Sequence, residues 1–303
     1  MNLTLTESTQ FTPHHRRVML AGWVQDALTQ ERLAGAMITI RRAPDAFIQK
    51  LLTKVRILGL PKRWGQWRSP PLVPFSTAGP AVLQDFQAQL LNPQTTSTVI
   101  LRHLDQIIAR SDLSNAHKFL ALQCFLDTLS MEDWCNQKMN YGRSQSRHDG
   151  SFYFTNLPSG FYQLEASLPR AGLRYGQSRF EAELKDGYFT RDPPTKSVFS
   201  DILKLKIELP PTTIFGRVID AKNQEPLEMA TVRCVGHQAQ TLTSRNLDHN
   251  QAQEWNYRLV GVEPFLPAVT LMISASGYAP QHQRVVLQPG ESKQCDIQLV
   301  AQI

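Results

Sequence analysis

The sequence predicts a mainly β protein with an α-helical insertion, organised as two β-sandwiches in tandem. Three observations lead there. A period-two segment near the N-terminus recurs 194 residues later, turn signals separate further alternating runs, and between them lies a block of about a hundred residues with helical periodicity.

The chain of 303 residues has room for two domains, each with its own core. A hydrophobic share of 42% and a charged share of 19% are ordinary for globular proteins, and 19 Pro with 16 Gly stay far below low-complexity levels. The net charge of +6 permits an acidic partner, whether nucleic acid, anionic lipid or protein, without requiring one. Cys124, Cys135, Cys234 and Cys295 form no Cys-x-x-Cys pair, which argues against a zinc ribbon or a dense disulfide framework. Buried thiols in a reducing compartment are expected, with a Cys234–Cys295 disulfide left open if the protein is exported. The N-terminus has no basic start followed by an apolar run, and no stretch approaches about 18 uninterrupted apolar residues, so a cytoplasmic location is the default expectation.

The repeat aligns residues 21–38 with 215–232 without gaps. Gly22/Gly216, Val24/Val218, Asp26/Asp220, Ala27/Ala221, Gln30/Gln224, Glu31/Glu225, Leu33/Leu227 and Ala36/Ala230 are identical. Gly-x-Val-x-Asp alternates as a strand, polar residues follow as a turn, and Leu-x-x-Ala-x-Ile/Val begins a second strand. The Asp suits a strand exit, where its carboxylate can accept hydrogen bonds from turn amides, so Asp26 and Asp220 are expected to be structural. The first copy resumes at Asp149-Gly150, a hairpin signal. Phe152 and Phe154 then alternate, Pro158-Ser-Gly160 makes a turn, and Tyr162, Leu164 and Ala166 alternate again. In the second copy Trp255, Tyr257 and Leu259 alternate, then Val269, Leu271 and Ile273. Ser276-Gly277-Tyr278, Val285-Val-Leu287, Pro289-Gly290-Glu291 and the run from Cys295 to Leu299 follow.

This order of motifs resembles the carboxypeptidase regulatory-like, or transthyretin-like, domain, over roughly two-thirds of the chain. The first copy matches at Gly22 to Ile38 and at Asp149 to Ala166; the second at Gly216 to Val232, at Ser276-Gly277-Tyr278 and at its end. The first copy departs in lacking a clear Gly-Tyr element after Ala166, and the second in lacking the Asp-Gly turn and the Leu-Pro-x-Gly segment. The resemblance implies two tandem prealbumin/Ig-like sandwiches that supply packing and contact surface rather than chemistry. The expected division is a tail over 1–17, a first sandwich from 18–43 plus 148–209, a helical insertion over 44–147, and a second sandwich over 210–303.

Within the insertion, Phe47, Leu51, Leu52, Val55 and Leu58 share a helical face, as do Val82, Leu83, Phe86, Leu90 and Leu91, and Val99, Ile100, Leu104, Ile107 and Ile108. Phe119, Leu120, Cys124 and Leu129 indicate a fourth helix, with Ser114 and Asn115 as caps. Four amphipathic helices predict a subdomain sitting on one end of the first sandwich. Its first part is basic. Arg41, Arg42, Lys50, Lys54, Arg56, Lys62, Arg63 and Arg68, with Trp64 and Trp67, are candidates for partner binding at an anionic surface; a solvated helix face with tryptophans packed on the sandwich is the plainer account.

Signatures of catalysis are missing from the sequence. Neither His-x-x-Glu nor His-Glu-x-x-His occurs, nor a Gly-x-Ser-x-Gly elbow, a phosphate-binding loop or a dinucleotide fingerprint. Asp112, Asp127, Glu132 and Asp133 could pair as carboxylates, but acidic residues on helix faces are usually solvated. Trp255, Tyr257, Phe161 and Tyr162 could form a glycan platform, although their alternation fits strands burying one face. The expectation is a non-enzymatic structural or interaction protein with no cofactor, no metal and no small-molecule substrate. Its partners would be proteins of a larger assembly, for example a phage-tail-like contractile injection apparatus or a surface complex, contacted through the insertion.

Overall fold

The computed structural model describes residues 18–58, 80–92, 94–128, 142–184, 203–236, 239–244, 248–250, 253–265 and 267–302. The first unit runs β1 (Val18–Asp26), β2 (Met37–Arg42), four helices α1 (Asp45–Leu58), α2 (Ala81–Leu91), α3 (Ser97–Ala109) and α4 (Asn115–Thr128), then β3 (Arg143–Gln145), β4 (Ser151–Thr155), β5 (Gly160–Ser167), β6 (Ser178–Leu184) and β7 (Leu203–Leu209). The second runs β8 (Thr213–Gly216), β9 (Val218–Asp220), β10 (Thr231–Cys234), β11 (Gln240–Leu242), β12 (Asp248–Asn250), β13 (Gln253–Trp255), β14 (Tyr257–Val260), β15 (Val269–Ser274), β16 (Gln281–Val285), β17 (Ser292–Gln294) and β18 (Ile297–Leu299). The fold is mainly β with a helical insertion, in two tandem sandwiches.

Apart from the β12–β13 hairpin, which pairs only with itself, the strands of the second unit repeat those of the first. In the first, sheets ordered β4-β1-β7 and β3-β2-β5-β6 face each other. In the second, β14-β8-β17 with its continuation β9-β18 faces β11-β10-β15-β16. Register agrees with order: Gly22 stands opposite Phe152 and beside Leu205 as Gly216 stands opposite Tyr257, and Val24 and Asp26 pair with Ile207 and Leu209 as Val218 and Asp220 pair with Ile297 and Leu299. Alternation along these strands directs Leu20, Val24, Ile38, Phe152 and Leu164 into one core, and Ile214, Val218, Val232, Leu259 and Ile273 into a second.

The identities found in the sequence acquire causes. Asp26 Oδ1 accepts the amides of Leu28 and Thr29, as Asp220 Oδ1 accepts those of Lys222 and Asn223. The other oxygen of each accepts a tyrosine hydroxyl, Tyr175 to Asp26 and Tyr278 to Asp220, both at 2.7 Å. Tyr175 is thus the counterpart of Tyr278, which corrects the expectation that the first copy lacks this element. The nearest preceding glycine, Gly172, is separated from it by two residues, so the dipeptide is absent while the latch is present. Asp26 is 3% exposed, and Tyr175→Phe leaves its Oδ2 without this donor, so unfolding should show a loss of about 1–2 kcal/mol. The Tyr278 hydroxyl holds the Asp220 carboxyl below its ordinary value of 3.8. Because the folded value is depressed, its stabilising contribution is complete above about pH 4 and lost as the pH falls through the folded value. Acid unfolding of Tyr278→Phe should therefore begin at higher pH than that of the unaltered chain; identical acid transitions would exclude the latch.

A second paired bond locates the insertion. Ser146 Oγ accepts the Ala36 amide and donates to Leu33 O, as Thr243 Oγ1 accepts the Ala230 amide and donates to Leu227 O. The bonded positions lie 110 residues apart in the first copy and 13 in the second. Further in, Ile40 N donates to Gly142 O as Cys234 N donates to Ala239 O, so residues 41–141 stand where the second copy has only 235–238. Limits of 44 and 147 would have taken β3 and Ser146 with the helices, because a three-residue strand carries too short an alternation to be read.

The four helices form as the periodicity predicts, and Ser114 Oγ accepts the His117 amide as an N-cap. Val99 and Leu91 are exposed, so two of the face assignments shift toward solvent; Leu129 lies outside the described residues. The helices do not make a core of their own. Phe47, Phe86, Leu104, Phe119 and Phe125 belong to the same cluster as Ile38, Ile40, Tyr162 and Leu164. The Phe47 ring lies 5.9 Å from Tyr162 and 5.8 Å from Phe119, and Gln123 Nε2 donates to Ile40 O. The insertion therefore closes the end of the sandwich where Ile40 and Tyr162 emerge.

Candidate functional site

The described residues of the basic segment are dispersed by the fold. Arg41 binds the buried Glu165 carboxylate, Lys50 Nζ donates to Asn156 O, and Arg56 pairs with Asp105 at 2.7 Å. Burial, with Lys54 adding to it, lowers the Lys50 ammonium below its usual value. Arg42 is exposed with its guanidinium 5.9 Å from the Phe161 ring, and Lys54 is exposed. Lys62, Arg63, Trp64, Trp67 and Arg68 lie outside the described residues.

Arg41 leads to the most distinctive local chemistry. The β2–β5 register shifts between Ile40 and Arg42, a bulge that leaves Arg41 out of the ladder. Its Nε and Nη2 reach Glu165 Oε1 at 3.1 and 2.5 Å, while Arg179 Nε reaches Oε2 at 2.9 Å. Burial alone would raise the Glu165 carboxyl, but the hydrogen bonds from Arg41 and Arg179 outweigh it and hold the group below its ordinary value. These residues floor a cleft of about 410 Å³ between the sheet and α4, whose other wall carries His117, Leu120 and Gln123.

A second cleft of about 380 Å³ lies at the junction, lined by Leu28, Pro211, Phe215, Trp255 and Arg258 among others. The junction itself is closely tied. Thr212 is fully buried; its amide donates to Arg174 O and its carbonyl accepts Val262 N. Its hydroxyl donates to Leu173 O and accepts Gly290 N at 2.7 Å. Gly176 N donates to Pro210 O, and the Gly176 and Gly290 backbones approach so closely that a Cβ on either would fall under 3.0 Å from the other's Cα. Thr212→Val removes both hydroxyl bonds at a buried site, costing about 1–3 kcal/mol. Small-angle scattering should then show a broader distribution of particle dimensions; an unchanged profile would mean that the joint is held elsewhere.

Among the other candidates, Tyr162 and Tyr257 are buried at 0% and 1% exposure, and their hydroxyls donate to Pro158 O and Cys295 O, so neither offers a ring face to a glycan. Trp255 is half-buried beneath the Arg258 guanidinium, 3.9 Å from its centroid, leaving Phe161 as the exposed member of the four. Asp112 is taken by Arg110, and Asp127, Glu132 and Asp133 carry no described side-chain placement. His103 bonds Gln89 and meets Phe86 edge to face, and burial lowers its imidazole despite Asp85. Among the described residues no three His, Cys, Asp or Glu side chains cluster as metal ligands, and no helix is long and apolar enough to cross a membrane. Cys124, Cys234 and Cys295 are free thiols; burial pushes Cys234 up to about 11.

Fold and clefts define a tandem β-sandwich protein whose first sandwich is capped by helices. No family model matches the chain, and no curated protein matches it. Among solved structures it is similar to a double mutant of the shaft pilin SpaA of Lactobacillus rhamnosus GG, at 12% identity over 95% of this chain and 98% of that one, with a TM-score of 0.27. The minor pilin GBS52 of Streptococcus agalactiae gives 10% identity, 94% and 96% coverage and 0.26. A putative membrane-associated protein of unknown function from Bacteroides fragilis gives 19% identity and 0.21, over 29% of this chain and 27% of that one, so the match spans about a quarter of that protein's chain. At these scores the likenesses carry no argument, and the fold rests on its own registers.

Proposed function

We propose that the chain is a non-catalytic structural protein of a multiprotein assembly, in which two carboxypeptidase regulatory-like sandwiches hold the helical insertion as a contact element. The division proposed is a tail over 1–17, a first sandwich, its helical insertion, and a second sandwich over 210–303. One observation carries the reading: the same module closes in the second copy with residues 235–238, so residues 41–141 are not needed to close a sandwich of this type. The tied junction supports it, since a fixed joint presents a contact surface in a constant pose. A contractile injection apparatus or a surface complex, reached by export with the assembly, is the kind of structure such a part would serve.

The test is affinity capture from the native host, comparing the full chain with a variant in which residues 235–238 replace 41–141 and Ile40→Cys and Tyr162→Val copy the second sandwich. Partners captured by the full chain and lost by the folded variant support the reading. Partners retained unchanged place the contacts on the sandwiches and overturn it. A second reading, binding at an anionic surface through the basic segment, is favoured by the exposed side chains of Arg42 and Lys54. It requires salt-sensitive vesicle binding that Arg42→Gln with Lys54→Gln weakens.

A further inference from the structure

The duplication supplies an internal control for the Arg41–Glu165–Arg179 cluster. Glu165 pairs with Arg179 across β5 and β6, and the equivalent pair across β15 and β16 is Met272 with His282. Strand β10 ends at Cys234, where β2 continues through a bulge to place Arg41. The second sandwich thus closes without the cluster, as expected if a buried ion pair is weak support for a fold that an apolar residue serves as well. The cluster occurs only on the sheet that α4 overhangs.

Among its hydrogen-bonded members the charge does not balance, with exposed Glu181 two positions from Arg179 on the same face of β6. Two guanidinium groups meet one carboxylate, which takes Nε and Nη2 of Arg41 but only Nε of Arg179. Each guanidinium has five N–H donors, so both retain donors beyond those spent on Glu165. Arg179 is 69% exposed, with Arg41 at 28% beside it. Glu165, 5% exposed, tethers both cations, so part of their conformational freedom is given up before anything binds. The remaining lining includes His117 and the amides of Gln123, Gln163 and Gln177, all hydrogen-bonding groups.

We infer that the cleft between α4 and the β2-β5-β6 sheet is a binding site for a carboxylate, held by Arg179 and Arg41 and offered either by a small dicarboxylic acid or by an Asp or Glu side chain of a partner polypeptide. The polypeptide source rests on the assembly reading; the site itself does not.

The experiment is calorimetric titration of the full chain at low ionic strength with succinate, with a short Glu-containing peptide, and with inorganic phosphate. The expected result is saturable binding of at least one carboxylate probe, weakened about tenfold by Arg179→Gln, as loss of a charge-assisted hydrogen bond implies, and unchanged by Arg284→Gln on exposed β16. Glu165→Gln, which removes the internal counter-charge, should tighten binding severalfold; a purely structural Glu165 would not. Binding of the peptide alone assigns the site to a polypeptide, and of succinate alone to a free acid. No saturable binding of either, equal affinity in Arg179→Gln, or phosphate binding as tight as the best carboxylate overturns the inference. If the probes fail while partner capture still depends on the insertion, this site falls and the assembly reading stands. Bound probes with insertion-independent capture give the converse.

Discussion

Gly22→Ala and Gly216→Ala should each unfold the sandwich that carries it. A Cβ at Gly22 would lie 2.1 Å from Leu205 O and 2.9 Å from Phe152 Cε1, and one at Gly216 would lie 2.1 Å from Cys295 O. The obstacles are backbone carbonyl oxygens, of β7 for Gly22 and of the link between β17 and β18 for Gly216, which cannot rotate aside as a side chain would. Relief requires β1 to part from β7, or β8 from the chain linking β17 to β18. Overpacking on this scale costs about 3 kcal/mol or more. Because the two cores are separate clusters, the damage should be local. Differential scanning calorimetry of Gly216→Ala should show the second sandwich melting early with the first retained, and Gly22→Ala the reverse. A single unshifted transition in either variant would mean that the strands are not as close as described.

These glycines also show what was legible in the sequence. The repeat was detectable because its constraints are backbone constraints, which leave identities: glycine where strands touch, aspartate where a carboxylate takes two turn amides, and glutamine in the turn, where Gln30 and Gln224 both have φ near 60°. Where the same geometry tolerates different residues, it was invisible. Gly35 and Met229 occupy one positive-φ position, at 78° and 58°, with no shared identity. Ser146 and Thr243 make the same two bonds, but the first must be sought across 110 residues of intervening chain. Tyr175 was missed because the latch depends on a hydroxyl reaching Asp26 from 149 positions away, whatever its neighbours. Helices were legible from periodicity, yet not the way they share a core, because an apolar stripe does not say what it faces. The basic segment shows the limit most plainly. Its charges stand close together in the sequence, while Arg41 and Arg56 find their partners at Glu165 and Asp105, 124 and 49 positions on.

How the helices share that core leads to the other large effect. At the open end of the second sandwich the core closes with Cys234 and Val269, buried at 1% and 2% exposure with no helix over them among the described residues. The register puts Ile40 and Tyr162 at these places in the first, both at 0% exposure beneath Phe47 and the helices. Residue size thus follows cover: large apolar side chains stand where helices hide them, and small ones where the chain must close alone. Replacing residues 41–141 by 235–238 without other change should expose Ile40 and Tyr162 and forfeit roughly 3–6 kcal/mol from this pair, enough to make the first sandwich marginal. The variant should bind a hydrophobic dye and melt well below the unaltered chain, while Ile40→Cys with Tyr162→Val should recover solubility by matching the end of the second sandwich. If the simple replacement melts as the full chain does, the helices contribute nothing to the sandwich core, and they are the separate subdomain that their periodicity alone suggested.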